Sequence, residues 1–150
     1  MPNSPKRSVC VDASFLVQLV THGQYVAQAA TLWRTWHNAE TVLLAPTLIL
    51  YEISNVLYQH VKAGYLYSEE ATQALERILA FKIALYGDAL LHHRALQMAQ
   101  AFSLAAADDA HYLTLCERFN ADFWTADKRL YNNVHEALPW VHLLQENVNN

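Results

Sequence analysis

The chain has 150 residues, ten of them Lys or Arg and fourteen Asp or Glu, for a formal net charge of −4; 53% are hydrophobic and 16% charged. This composition supplies a real apolar core for one domain, spanning about residues 8–145 between short polar ends, and excludes a disordered chain. It also excludes a protein that coats nucleic acid through bulk positive charge, but not an enzyme that meets phosphates through bound cations.

Val9-Cys10-Val11 is a short β-branched run ending at Asp12 and reads as a buried strand. Helical periodicity follows, breaks near His22-Gly23, and resumes from Tyr25 to about His37. Val42-Leu43-Leu44 reads as a second strand, closed by Pro46, which suits the first turn of a helix running to about Lys62 and stopped by Gly64. Ser68-Glu69-Glu70 reads as an N-cap serine with acids in the first turn, opening a helix with Leu75, Ile78 and Leu79 on one face. Lys82–Tyr86 is a weak strand candidate. Asp88 caps a further helix carrying Leu91, Ala95, Met98 and Phe102. Another helix starts near Asp108, Phe123-Trp124-Thr125 reads as a strand before Asp127, and Trp140–Leu144 reads as the last strand. Short apolar strands alternating with amphipathic helices indicate an α/β fold with a mainly parallel sheet covered on both faces. In such sheets, sites form beyond the carboxyl ends of the strands.

Asp109, Tyr112, Leu113 and Cys116 recur at i, i+3, i+4 and i+7 and share one helix face. An aspartate in a core-facing stripe costs free energy unless it is paired or binds a metal. Asp108 lies one residue off the stripe and suits helix capping; taken alone, Asp109 reads equally as a cap. Glu52, with Leu48, Asn55 and Val56 at i−4, i+3 and i+4, sits on or beside the buried side of its helix; it reads equally as a rim residue that frees its head to solvent. Asp12 and Asp127 each follow a strand, with Ser14 two residues after one and Thr125 two residues before the other; taken singly, each is also a common turn aspartate. Together the four acids repel, and some hold protons at neutral pH unless a cation is present; carboxylate oxygens suit Mg²⁺ or Mn²⁺. Lys128 and Arg129 either touch substrate phosphates or are simply solvated.

Other chemistries find no support. The eight histidines show no HExxH pattern, and Cys10 and Cys116 form no Cys-x-x-Cys pair, so neither zinc nor a disulfide framework is expected. The cysteines read as buried thiols in a reducing, cytoplasmic compartment. Ser14 lies in no G-x-S-x-G elbow, and no Gly-rich phosphate loop exists. Trp33, Trp36, Trp124 and Trp140 read as core or interface residues. No apolar run reaches the ~18 residues of a membrane span, and the polar start with Pro2 and Pro5 lacks a secretory signal.

Four segments, in this order, carry a family resemblance: "VCVDASFLV" around Asp12, "PTLILYEISNVL" around Glu52, "AADDAHYLTLCE" around Asp109 and "FWTADKRLY" around Asp127. The chain resembles PIN domains, in particular the VapC-type toxins of prokaryotic toxin–antitoxin pairs, from about Val9 to Leu144. The resemblance implies a three-layer α/β/α fold and a Mg²⁺- or Mn²⁺-dependent endoribonuclease leaving 5′-phosphate and 3′-hydroxyl ends. It implies Asp12, Glu52, Asp109 and Asp127 as catalytic and metal-binding acids, with Ser14 and Thr125 as supporting hydroxyls. Asp109, directly before Ala110, matches the family's aspartate. Asp108 departs from the pattern as a fifth acid and leaves the division of labour within that pair open. The resemblance further implies an antitoxin partner and a homodimer. The alternatives are a non-catalytic RNA- or protein-binding module on the same fold and a housekeeping RNA-processing nuclease. A receiver-type phosphoryl-transfer domain is disfavoured, because Asp12-Ala13-Ser14 lacks a second acid.

Overall fold

The computed structural model describes residues 6–145, so the expected polar ends lie largely outside the described residues. Five strands, β1 (Ser8–Val11), β2 (Val42–Pro46), β3 (Ala84–Tyr86), β4 (Asp122–Thr125) and β5 (Val141–Leu143), form one sheet in the order β3-β2-β1-β4-β5. Every neighbouring pair is parallel. The helices are α1 (Ala13–Val20), α2 (Val26–Asn38), α3 (Leu48–Lys62), α4 (Ser68–Leu79), α5 (Ala89–Ala101), α6 (Ala107–Phe119) and α7 (Lys128–Val134). α1 packs against α2, α3 and α4 in one layer; α5 and α6 pair in the other, with α6 over β1, β2 and β4, and α7 leans on β5. The result is the three-layer α/β/α arrangement. Covering both faces buries Val9, Cys10 and Val11 of β1, which is why that run is continuously apolar rather than alternating.

The core joins Cys10, Val11, Phe15, Leu16, Leu44 and Phe123. Trp36 belongs to it, and Trp33, Trp124 and Trp140 pack partly buried against it, in keeping with their expected structural role. Cys10 and Cys116 are buried free thiols. Among the described residues no helix is long and apolar enough to cross a membrane.

Several boundaries differ from expectation for local reasons. Pro46 ends β2 opposite Tyr86 instead of opening a helix; the next donor needed by the sheet is the Thr47 N–H, which bonds the Tyr86 carbonyl at 2.8 Å. Ser68 is the first residue of α4 and Tyr67 is its N-cap, because the Glu70 carboxylate reaches back to the Tyr67 N–H at 2.9 Å. Leu79 is exposed, since one residue beyond buried Ile78 turns about 100° round the helix; Ala74 takes its place inside. α6 is capped by Ala106, which puts Asp108 in the first turn, where its charge suits the helix dipole, rather than at the cap. The seven-residue α7 carries too short a pattern for periodicity to reveal.

Gly64 follows the C-cap of α3 at φ +82°, and its N–H and that of Tyr65 close the turn onto Val61 and His60. A Cβ there meets no atom, so only backbone strain opposes it. Gly64→Ala is expected to destabilise the fold by about 1 kcal/mol in urea unfolding, with an unchanged m-value.

Candidate active site

Sheet order places the site. β2 and β3 extend from β1 on one side, β4 and β5 on the other, so the chain reverses direction between β1 and β4. Ligand crevices in parallel sheets open at that point, beyond the strand ends. β1 and β4 pair with Val11 opposite Trp124, which brings the next residues, Asp12 and Thr125, side by side.

Asp12 is the N-cap of α1 and is nearly fully buried. Its Oδ1 accepts from the Ser14 hydroxyl at 2.6 Å and the Phe15 N–H at 3.0 Å, and its Oδ2 accepts from the Thr125 hydroxyl. Ser14 Oγ in turn accepts from the Ala126 N–H, and Thr125 Oγ1 from the Asp127 N–H, each at 2.9 Å. Two hydroxyls thus tie the end of β1 to the turn after β4 and fix the Asp12 carboxylate. Asp127 caps α7, with Oδ1 accepting the Arg129 and Leu130 N–H groups. Glu52 projects from α3, and its Oε1 accepts from the Tyr112 hydroxyl at 2.6 Å. Asp109 lies in the first turn of α6, half-buried, and accepts no protein hydrogen bond among the described residues.

All four acids line one cleft of about 290 Å³, with Ser14, Tyr112 and His60 among its other walls. None of the four makes an ion pair among the described residues. Burial pushes the Asp12 carboxyl up to about 6, against the pull of its three hydrogen-bond donors and with the Asp127 charge adding to the rise. Burial likewise raises Glu52 to about 7; the Tyr112 hydrogen bond opposes this, and the charges of Asp12, Asp108 and Asp109 reinforce it. Asp109 is raised by burial and by Asp127 and Asp108, and only the Arg129 charge acts on it in the opposite sense.

The donor set is all oxygen and anionic, which fits a hard divalent cation. Among the described residues, however, no three His, Cys, Asp or Glu side chains are grouped so as to hold a metal by themselves. Mg²⁺ needs no such cage, because it keeps several waters and takes one or two carboxylates directly. The protein groups present therefore fit that mode.

Of the other candidate residues, Asn55 is exposed and stands outside the cleft. Asp108 is exposed and reaches the site only through its charge on Glu52 and Asp109. Lys128 and Arg129 are exposed beyond Asp127. Sequence reasoning missed His60 and the polar role of Tyr112. His60 follows Glu52 by eight residues and Val56 by four, a helical phase that could have found it. The partner of Tyr112 lies 60 residues away, and no local pattern carries that information.

A fully parallel α/β/α sheet that gathers four carboxylates at its switch point defines an α/β domain with an acidic cleft. The chain belongs to the PIN domain family, whose profile matches residues 10–136. It is 30% identical over 125 residues to Ribonuclease VapC3 of Pyrobaculum aerophilum, covering 80% of this chain and 89% of that protein. In fold it is similar to VapC20 of Mycobacterium tuberculosis, described as a toxin cleaving the sarcin–ricin loop, at a TM-score of 0.65 and 18% identity over 84% of this chain and 95% of that one. It is also similar to VapBC2 of Rickettsia felis, solved bound to a promoter DNA fragment, at a TM-score of 0.64 and 10% identity over 91% and 96% of the two chains.

Proposed function

We propose that the protein is a Mg²⁺- or Mn²⁺-dependent endoribonuclease, the toxin of a VapBC-type pair, acting in the cytoplasm and held in check by an antitoxin. The observation that carries this reading is the convergence of Asp12, Glu52, Asp109 and Asp127 in one cleft without an ion-pair partner among the described residues. Membership of the PIN family and the likeness to a curated VapC ribonuclease support the choice of RNA.

In this reading Asp12, Asp109 and Asp127 hold one or two cations, with Glu52 as a ligand directly or through water. A bound cation supplies a more acidic water and offsets charge on the phosphate. The chain's own residues do the rest. Ser14 and Thr125 fix the Asp12 carboxylate, so its orientation requires no rearrangement on binding. The Tyr112 hydroxyl occupies Oε1 of Glu52, which leaves Oε2 to face a cation or its water. Arg129, whose charge already reaches Asp109, stands where a substrate phosphate would approach the acids. In-line attack of water leaves a 5′-phosphate and a 3′-hydroxyl.

The test is cleavage of RNA during titration with Mn²⁺ or Mg²⁺ after chelator treatment, with the product ends identified. Cleavage that persists in chelator, or that leaves 2′,3′-cyclic phosphates, would sink the scheme. Co-purification with the product of an adjacent antitoxin gene, and relief of growth arrest by it, tests the toxin role.

Tyr112→Phe removes the hydrogen bond that holds Glu52 toward its ionised form. The acid limb of the pH–rate profile is expected to move to higher pH, with the alkaline rate reduced by about tenfold or less.

A further inference from the structure

We infer that Tyr65, braced by His60 at the rim of the acid cleft, is a stacking subsite for an unpaired RNA base beside the scissile bond. The inference rests on the ribonuclease reading and adds a residue that positions the substrate.

The path out of the cleft runs along α3. Glu52, Val56 and His60 all line the cleft at successive turns of that helix. The His60 ring meets the Tyr65 ring nearly perpendicularly, at 85° with centroids 5.9 Å apart. A perpendicular contact leaves at least one face of the Tyr65 ring uncovered, and the residue is 76% exposed. The backbone that carries the ring is nevertheless held in place. The His60 carbonyl accepts both the Tyr65 N–H at 2.9 Å and the Leu66 N–H at 3.3 Å, across the left-handed Gly64. An exposed aromatic ring on a fixed turn, touching a residue that lines the acid cleft, offers a face on which a base can stack.

The charge of the site favours this ligand. Without bound cations the acids repel a phosphodiester backbone, so a contact that does not depend on charge adds to the attraction that the cations supply. A base is neutral, and its π face stacks on tyrosine regardless of sequence. A base inside a duplex is already stacked on both sides, so the subsite selects an unpaired nucleotide.

The test compares wild type with Tyr65→Ala, Tyr65→Phe and Tyr65→Trp on a labelled single-stranded RNA that the wild type cuts. The same RNA is also made with one abasic nucleotide at each position flanking the cut. Tyr65→Ala is expected to raise KM about 5- to 100-fold with kcat within about twofold. Phe and Trp restore KM, since each keeps a stacking face. One abasic position raises the wild-type KM comparably and adds nothing in Tyr65→Ala. Unchanged KM in Tyr65→Ala, failure of Phe and Trp to rescue, or additive abasic effects would overturn the subsite while the ribonuclease reading stands. Loss of a protein partner with unaltered RNA kinetics assigns the ring to a protein contact and overturns it too. A wild-type protein that cuts no RNA with any divalent cation sinks the ribonuclease reading and the subsite with it.

Discussion

Asp109→Asn is expected to lower the rate of RNA cleavage about a thousandfold or more while leaving the fold intact, as expected when a cation worth several kcal/mol to the transition state loses a ligand. Asp109 is the cleanest place to make this change. Asp12→Asn would put an NH₂ where Oδ2 accepts the Thr125 hydroxyl, and Thr125 Oγ1 already accepts the Asp127 N–H, so that network would be disturbed as well. Asp109 has no protein hydrogen bond to lose among the described residues. Neutralising it removes a carboxylate that burial and two neighbouring aspartates disfavour. Single-turnover rates measured beside thermal melts check the result. A variant that keeps its melting temperature and cleaves within tenfold of wild type would remove Asp109 from the catalytic set.

The second large effect is a coupling of stability to pH and to divalent cations. Asp12 and Glu52 titrate higher in the folded chain than in the unfolded one, at about 6 and about 7. Between pH 4 and 7 the native state therefore keeps protons that the unfolded chain has released. Their contribution to stability falls as pH rises through this window and levels off above it. Asp12 accounts for roughly 3 kcal/mol of the decline; Glu52 adds less than its shift implies, because solvent screens its exposed part. On the proposed reading, a cation bound by the same acids is expected to reverse the loss. At a hundredfold excess over its dissociation constant, Mn²⁺ stabilises by about 2.7 kcal/mol, or roughly 5–10 °C for a domain of this length. The shift is larger at pH 8 than at pH 5.5, since protons compete for the ligands. Glu52→Gln keeps an amide oxygen for Tyr112 and removes one charge, so it melts higher than wild type without metal and gains less from Mn²⁺. Calorimetric scans across pH, with and without Mn²⁺, check both signs; stability that is indifferent to Mn²⁺ at pH 8 would refute the coupling.

What could be read from the sequence follows from the range of the forces involved. Asp109 was identified by helical phase, because burial of Tyr112, Leu113 and Cys116 is a periodic, local property. Asp12 and Asp127 could be placed at strand ends because β1 and β4 are short apolar runs with an abrupt polar stop. Glu52 was ambiguous, and the structure shows why: it is half-buried, and its reason for facing inward is a phenol on another helix. Pro46 and Ser68 misled because their local preferences lost to neighbours, a sheet partner in one case and the reach of Glu70 in the other. Asn55 lies close to Glu52 in sequence, yet it is exposed and is not among the residues that line the cleft.

The hydrogen bond from Thr125 to Asp12 spans 113 residues of chain. It sets an order of events during synthesis. Until β4 has left the ribosome and slotted beside β1, Asp12 lacks the hydroxyl that holds its Oδ2, and Asp127 does not yet exist. Contacts of such long range form late in folding. A nascent chain that stalls or is clipped before Asp122 can carry two helical layers and half a sheet and still have no site. A harmful activity of this kind would switch on only when most of the domain is in place, which leaves the unfinished chain innocuous to the cell that makes it.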